Sequence, residues 1–416
     1  MRFLRAKLGV FTFAVVAFPA LAQGNGQSFT FVAEPDRLPV DTSLPDTSSI
    51  DVDLVDIDAD GDLDLFVAEG TAGPAGRPNR LLVNDGDGFF SDESAARLPP
   101  AVGNSSRSDA GDVDGDGDLD IIVANLGPEQ LLLNDGNGFF SDASATQLPA
   151  PPPFFAGISA EARFADVDGD GDLDVLVANE NPFSPAPLGG GQDRIYINDG
   201  AGVFTDETAA RLPAITDQTG GFATGDIDDD GDVDVIVLNR GQDRVFVNDG
   251  DGFFTEETAS RIPVVDDASR AGELADLDGD GDLDLLIANS RGQAPAYYTN
   301  DGEGVFTQEV FTHSKVTYET LTSVDLEDVD GDGDLDALFG NAGTFLSGHG
   351  FLGGQNLYFM NNGQGLFIDR TKHVLPELAD PTTDAEFGDV DGDGDLDIVV
   401  GNSGALESVL IQDDHP

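Results

Sequence analysis

Apolar residues along this chain fall into short, dense runs separated by polar turns, and the same order of runs comes round seven times. The unit around Asp112 shows that order. Ser108–Gly111 enters a polar stretch, then Leu119–Ala124 reads LDIIVA, β-branched and apolar, and Asn125 ends it. Such a run predicts a strand buried on both faces. A short turn, Leu126–Glu129, gives way to a third strand at Gln130–Leu133. Asn134-Asp135-Gly136-Asn137-Gly138 is rich in residues that tolerate positive φ, a hairpin signal, and Phe139–Asp142 is the returning strand. A Gln-Leu-Pro signature at Gln147–Pro149 closes the unit.

The second-strand run reads LDLFVAE, LDIIVAN, LDVLVAN, VDVIVLN, LDLLIAN, LDALFGN and LDIVVGN across the units. The hairpin recurs as NDGDGFF from Asn84, NDGAGVF from Asn198, NDGDGFF from Asn248, NDGEGVF from Asn300 and NNGQGLF from Asn361. Four-stranded units in this number predict the blades of a β-propeller, whereas a linear stack would need distinct polar caps at its ends. The chain ends favour the ring. Ser408–Ile411 is the expected third strand of the seventh unit, Gln412-Asp413-Asp414 starts its hairpin, and no fourth strand follows. Ser28–Val32 with Arg37-Leu38-Pro39 resembles the closing section of other units, such as Phe89–Pro99. The N-terminal strand should therefore complete the last blade of an all-β, seven-bladed propeller and hide two sheet edges.

Composition adds a compartment and a constraint. The first 22 residues have the order of a secretory signal: Arg2, Arg5 and Lys7, an apolar run Leu8–Phe18, then Ala20-Leu21-Ala22 as a small-x-small cleavage site. The mature chain is expected to start near Gln23, to be exported to the periplasm or beyond the cell, and to form one domain over residues 23–416. That run is too short for a membrane span, and no other stretch approaches 18 uninterrupted apolar residues. Losing three basic residues takes the formal charge from −61 to −64. Such a surface repels phosphate backbones and anionic lipid, which disfavours nucleic-acid and membrane-surface binding. The acids recur at fixed positions between apolar strands, and the full sequence holds 28 Phe, all but four of them beyond residue 22 and in need of burial, so the charge accompanies a folded chain. There is no Cys, so disulfides are excluded as staples and bound metal can supply the missing cross-links. A monomer is expected.

Between the first and second strands of every unit lies a nine-residue ladder of aspartates, DVDGDGDLD in the copy at Asp112–Asp120. The first ladder places carboxylates at Asp56, Asp58, Asp60, Asp62 and Asp64, and the second at Asp112, Asp114, Asp116, Asp118 and Asp120. The third has Asp166, Asp168, Asp170, Asp172 and Asp174, and the fourth Asp226, Asp228, Asp230, Asp232 and Asp234. The fifth has Asp276, Asp278, Asp280, Asp282 and Asp284, and the sixth Asp328, Asp330, Asp332, Asp334 and Asp336. The seventh has Asp389, Asp391, Asp393, Asp395 and Asp397. Each set surrounds a Gly at position 6 and needs neutralising, for which a hard divalent cation with oxygen ligands is the natural candidate. An EF-hand would need a bidentate Glu at position 12, where Val67, Val123, Val177, Val237, Ile287, Phe339 and Val400 stand instead. The Gly-rich nonapeptide of calcium-binding β-helices does not fit either. A shortened loop does fit: carboxylates 1, 3 and 5, a backbone carbonyl at 7, and carboxylate 9. Flexible all-oxygen ligation suits Ca²⁺ better than Mg²⁺, and with no Cys and no His near a ladder zinc and copper are poor candidates. Up to seven Ca²⁺ ions are expected, one per blade.

The D-x-D-x-D-G-x-x-D loop inside a roughly 54-residue four-stranded repeat resembles the FG-GAP repeat of integrin α-subunit propellers. It is closer still to bacterial FG-GAP/VCBS-type repeat proteins, whose units commonly read like GDVDGDGDLDIVVAN…LLLNDGDGFF. The resemblance covers nearly all of residues 28–416. It implies a first site of Asp56, Asp58, Asp60, the carbonyl of Asp62, and Asp64, with six more on the same pattern. Two departures stand out: integrin-like leg domains and a membrane span are missing from this sequence, and Asp229 replaces the usual position-4 Gly, adding a carboxylate to the fourth ladder.

Ladders and NDGxG turns fall on one face of such a ring and read as scaffold. The opposite face carries the enlarged connections Glu69–Pro78, Glu180–Asp193 and Asn341–Gln355, and the Pro-rich crossover Ala150–Ile158 with Phe154 and Phe155. Loops of this kind carry function, which predicts a binding or adhesion module for a protein or glycan ligand. Catalysis has little support. Of His313, His349, His373 and His415, only His349 sits in an enlarged loop, and a G-x-S-x-G nucleophile motif is missing. Tyr297, Tyr298, Tyr318 and Tyr358 have the rings to stack on sugars, but Tyr298 and Tyr358 fall in third strands and are expected to pack within blades. Arg194 and Arg244, like Arg80, start third strands and are expected to pair with nearby Asp rather than to bind ligand. A carbohydrate-active enzyme of lyase type is the alternative, on analogy of fold alone.

Overall fold

In a computed structural model, residues 28–39, 49–70, 76–100, 103–150, 158–180, 190–311, 320–346, 350–405 and 407–415 are described. The expected signal segment, Phe154, Phe155, His313, Tyr318, His349 and parts of the enlarged loops lie outside these residues.

The strands form seven four-stranded antiparallel units in which neighbours in sequence are neighbours in space. Blade 1 runs Ser49–Val55, Asp64–Glu69, Arg80–Asn84 and Phe90–Asp92. Blade 2 runs Ser105–Gly111, Asp120–Asn125, Gln130–Asn134 and Phe140–Asp142. Blades 3 to 6 repeat the pattern with first strands Ser159–Ala165, Thr219–Gly225, Asp267–Ala275 and Leu321–Glu327. In blade 4 the second strand extends to Gly241 and pairs with Asp267 and Ala268, so blades 4 and 5 share one eight-stranded sheet.

Blade 7 is built from both chain ends. Thr382–Gly388, Asp397–Asn402 and Ser408–His415 pair in turn, and Ser28–Ala33 adds the fourth strand in unbroken register, Ser28 opposite His415 through Ala33 opposite Leu410. Here the structure corrects one expectation: Gln412-Asp413-Asp414 continues the third strand and starts no hairpin. With the partner strand arriving from the other terminus, the chain has no turn to make, and pairing with a six-residue strand draws it straight on.

Second strands are buried on both faces, as Leu65, Phe66, Val67 and Ala68 show at 0% exposure. Alternation sends Leu65 and Val67 to one neighbour and Phe66 and Ala68 to the other. Leu65 and Val67 thus join Val390, Val399 and Val409 of blade 7, while Phe66 and Ala68 join Ile121, Val123 and Leu132 of blade 2. Equivalent apolar clusters fill the remaining seams, each burying side chains worth about 1.5–3 kcal/mol apiece.

First strands line the axis as inner edges, so half their amides lack a strand partner. Carboxylates of the preceding blade accept them: Asp51 from Ser108 N at 2.8 Å, Asp109 from Phe164 N at 2.9 Å, Glu161 from Phe222 N at 3.0 Å and Asp325 from Phe387 N at 2.7 Å. Asp384 and Glu386 of blade 7 accept Val52 N and Leu54 N of blade 1 in the same way, at 3.2 and 3.1 Å. From blade 2, Arg107 Nη2 reaches across the axis to the Thr322 carbonyl of blade 6, 2.8 Å away.

Candidate metal centres on one face of the ring

Each ladder folds because its first and sixth positions need each other. Asp56 accepts Asp60 N on Oδ1 and Gly61 N on Oδ2, both at 3.1 Å, and Asp112 holds Gly115 N and Gly117 N at 2.8 and 3.0 Å. The turn drives position 6 to φ between 96° and 102°, a region glycine alone enters freely. Position 4 is also left-handed, including at Ala59 (φ 56°) and Asp229 (φ 57°). Position 5 accepts the position-7 amide, as in Asp116 Oδ1 with Asp118 N at 3.1 Å.

These turns bring carboxylates together. Asp56, Asp58 and Asp60 each offer an oxygen within 4.8 Å of the others, as do Asp226, Asp228 and Asp230, and Asp276, Asp278 and Asp280. In blades 2 and 3 the convergent trios are Asp112, Asp114 and Asp120, and Asp166, Asp168 and Asp174, which brings position 9 into the group. Asp229 is exposed and lies outside its blade's trio. Position 7 also stands apart in these five groups. Its carboxylate lies against the first hairpin Gly, Asp62 against Gly86 and Asp118 against Gly136, where a Cβ would collide with it.

Position 9 is the keystone. Asp64, Asp120, Asp174, Asp234, Asp284, Asp336 and Asp397 are 0–1% exposed. Their Oδ1 atoms accept the amide at the start of the third-to-fourth-strand turn, from Asn84, Asn134 and Asn198 at 2.8 Å for example. In blades 2, 3, 4, 5 and 7 Oδ2 accepts the position-2 amide, from Val113 and Val167 at 3.2 Å for example, while Asp336 Oδ2 accepts Tyr358 OH and Asp64 Oδ2 is buried without a partner. Burial pushes Asp64, Asp120, Asp174, Asp234, Asp336 and Asp397 up to about 7 and Asp284 to about 6. Burial first, then the neighbouring position-5 carboxylate, also raises Asp114, Asp168, Asp228, Asp278, Asp330 and Asp391. Without a counter-charge these loops therefore resist full ionisation.

One observation tests whether a cation fits. The Oδ1 atoms of Asp58, Asp114, Asp168, Asp228 and Asp391, all at position 3, are buried and accept no hydrogen bond, whereas in blades 5 and 6 the position-5 amide donates to this oxygen, Asp280 N to Asp278 at 3.3 Å and Asp332 N to Asp330 at 3.2 Å. A buried anionic oxygen without a partner is costly, and a cation among the convergent carboxylates would satisfy it. All the donors are oxygen, as a hard cation requires.

The hairpin Asn locks the ladders to one another, a role the sequence reading missed. Asn134 Nδ2 donates to Leu119 O of its own ladder at 3.1 Å and to Ile57 O of the preceding blade's ladder at 2.8 Å. Asn84, Asn198, Asn248 and Asn300 repeat both bonds. One-turn helices such as Ser94–Arg97 and Thr208–Arg211, also unforeseen, follow each fourth strand of blades 1 to 4. In blades 1 to 3 a Ser or Thr two residues past an Asp is the local signal: Asp92 Oδ1 accepts Ser94 N at 3.0 Å, and Ser94 Oγ accepts Leu81 N at 2.9 Å.

On the opposite face the expected Asp pairs form at Arg194 with Asp206 (3.7 Å) and Arg244 with Asp217, while Arg80 pairs with two glutamates instead, Glu69 (2.7 Å) and Glu407. Tyr298 and Tyr358 are buried in their blades, and His373 is exposed. Two features stand out here, the second of them inside the enlarged connection Asn341–Gln355. A cleft of about 560 Å³ opens between blades 1 and 2, with Leu98, Pro99 and Pro100 on one side and Arg80, Asp92 and Gln130 among its polar groups. In blade 6, Phe345–Leu346 pairs with Gly350–Phe351 as a small projecting hairpin. It exposes Phe345 (61%), Leu346, Phe351 and Leu352 (60%), with the two phenyl rings edge-on at 5.2 Å.

The model of the FG-GAP-like repeat matches this sequence six times, at residues 56–123, 112–177, 183–237, 226–287, 276–339 and 345–400. The chain belongs to the FG-GAP-like repeat family and has the β-propeller fold. Among solved structures it is similar to BBS1N in complex with ARL6DN (12% identity, 92% of this chain and 97% of that one, TM-score 0.54). It is similar also to a catalytically inactive virginiamycin B lyase from Staphylococcus aureus with quinupristin (13% identity, 92% and 99% covered, TM-score 0.53). A lectin from Agrocybe aegerita aligns at 19% identity over 82% of this chain and 79% of that one, with TM-score 0.48. At these identities the likeness extends to the fold alone. No curated protein gives a sequence match. No helix among the described residues is long and apolar enough to cross a membrane.

Proposed function

We infer that this chain is an exported, calcium-binding β-propeller that recognises a protein or glycan partner through the face opposite the ladders. The observation that carries the calcium reading is the set of buried, donorless position-3 oxygens in five ladders. Bound Ca²⁺ would supply the positive charge that lets the convergent carboxylates ionise together. In blade 1 the ligands would be Asp56, Asp58, Asp60, the Asp62 carbonyl and Asp64, and the other ladders follow the same positions. Position 9 can serve while still holding its backbone amides, one on Asp64 and two on Asp120 for example, because a carboxylate oxygen has more than one lone pair.

The division of labour between faces supports the binding reading. Ladder loops and hairpins are uniform and committed to each other, whereas the opposite face holds the enlarged connections, the 560 Å³ cleft and the exposed apolar hairpin. The export reading rests on residues 1–22, with their basic, apolar and small-residue order.

A glycan array and a protein pull-down, run with calcium and with chelator, test the module. Binding lost when the segment 344–352 is replaced by a short Gly-Ser turn, with the melting temperature unchanged, is the expected result. Binding that survives that replacement and also survives occlusion of the cleft by Pro99→Arg would place recognition elsewhere. An unsaturated product accumulating from a polysaccharide would instead favour a lyase.

A further inference from the structure

The seven ladders are not equivalent, and what separates them is an arginine from outside the loop. Arg97, the last residue of the one-turn helix after blade 1, holds Asp58 Oδ2 at 3.0 Å through Nη1. The same nitrogen donates to the Asn137 carbonyl in the hairpin of blade 2 at 2.9 Å, and Nε is held by Glu93 at 2.5 Å. The guanidinium lies over the exposed Phe139 ring, 5.2 Å from its centroid. Three further arginines repeat this arrangement at other seams. Arg211 joins Asp168 to the Asp251 carbonyl, Arg261 joins Asp228 to the Glu303 carbonyl, and Arg37 joins Asp391 to the Asp87 carbonyl. Each is also held by a nearby glutamate, Glu207, Glu257 or Glu34. The hairpin residue facing the guanidinium is Gly in all four cases, and a Cβ at Gly138 or Gly252 would strike the arginine.

In every one of these four ladders the position-3 carboxylate has the same split. Oδ2 is taken by the guanidinium, and Oδ1 is buried without a donor. Blade 2 lacks the arginine: Gln147 stands in its place, and its Oε1 is itself buried without a partner. In blade 6 the equivalent residue is Val374.

We propose that Arg37, Arg97, Arg211 and Arg261 are positioning residues that couple cation occupancy in one blade's ladder to closure of the seam with the next blade. The proposal rests on the calcium reading above. With a cation on Oδ1, the position-3 carboxylate is fixed as an anion, and its Oδ2 holds the guanidinium against the neighbouring hairpin. With the cation removed, repulsion from the position-1 and position-5 carboxylates drives position 3 out of this geometry, and the hairpin loses its anchor. Seams carrying arginine should therefore loosen on chelation more than the seam carrying Gln147.

Amide hydrogen exchange on the full mature chain, with calcium and with EDTA, reads this seam by seam. Chelation is expected to speed exchange in hairpins 84–89, 134–139, 248–253 and 300–305 more than in 198–203. Arg97→Gln copies the residue that blade 2 tolerates naturally. It should speed exchange in 134–139 about two- to fivefold, the factor a partly buried ion pair gives, and erase the calcium response there while 84–89 keeps its own. The reverse change, Gln147→Arg, should bring a calcium response to 198–203. If calcium binds but Arg97→Gln leaves 134–139 responding like the wild type, or Gln147→Arg adds nothing, the coupling is refuted. If calcium alters no hairpin and none is bound, the metal reading fails instead.

Discussion

Asn134 offers a sharp measurement of what joins one blade to the next. Its side chain is 8% exposed and makes four bonds. Nδ2 donates to Ile57 O and Leu119 O at 2.8 and 3.1 Å, and Oδ1 accepts Gly136 N and Gly138 N at 3.2 and 3.1 Å. Asn134→Ala removes all four and leaves two carbonyls and two amides to find water at a seam largely closed to it. At about 0.5–1.5 kcal/mol net per bond, the expected loss over the four bonds is roughly 2–6 kcal/mol. Urea unfolding monitored by circular dichroism would show this as a midpoint lowered by roughly 0.5–2 M, since m-values of about 3 kcal/mol/M or more suit a chain of this size. Asn137→Ala, three residues on at the exposed tip, should change stability by less than about 0.5 kcal/mol. A loss below about 1 kcal/mol for Asn134→Ala, or an equal loss for Asn137→Ala, would refute the inter-blade role of the hairpin Asn.

Other predictions concern the ladders. Asp58→Asn should reduce bound calcium by about one ion per chain and lower the calcium-loaded melting temperature, while costing little in chelator; unchanged stoichiometry by titration calorimetry would contradict it. In the metal-free protein, the position-9 carboxyls are raised from 3.8 to about 7, and to about 6 at Asp284, so their stabilising contribution is complete below about pH 4 and lost as pH rises through 6 to 7. Chelated protein should accordingly melt at a higher temperature at pH 5.5 than at pH 8, and a calcium-loaded sample should show the opposite trend; a chelated protein that is most stable at pH 8 would count against the buried keystone. Tyr358→Phe removes a 2.6 Å bond to Asp336 in a fully buried setting and should cost about 1–3 kcal/mol in urea unfolding, against under 0.5 kcal/mol for an exposed control such as Leu366→Ala.

What could be read from the sequence was whatever repeats locally. The second strands announced themselves because burial on both faces demands apolar residues at nearly every position, as in Leu65–Ala68. The hairpins were legible because positive φ at Gly86 and Gly88 selects glycine, and the blade shared between termini was legible because Ser28–Val32 copies a closing strand. The contacts that turn blades into a ring were hidden. Arg97 meets Asp58 across 39 residues, Asn84 meets the Val390 carbonyl across 306, and Asp384 meets Val52 N across 332. No periodicity along the chain encodes such pairings. Position 9 was read as a ligand alone, and the structure adds that its carboxylate first holds the hairpin and the ladder together.

The central claim is that the aspartate ladders hold calcium. Elemental analysis of the purified mature protein, after exhaustive dialysis against metal-free buffer and followed by melting with and without EDTA, tests it most directly. Several calcium ions per chain, up to seven, are expected, with a melting temperature that falls sharply on chelation and is restored by Ca²⁺ far better than by Mg²⁺. A protein free of tightly held divalent metal, with a melting curve indifferent to EDTA and to added calcium, would contradict it.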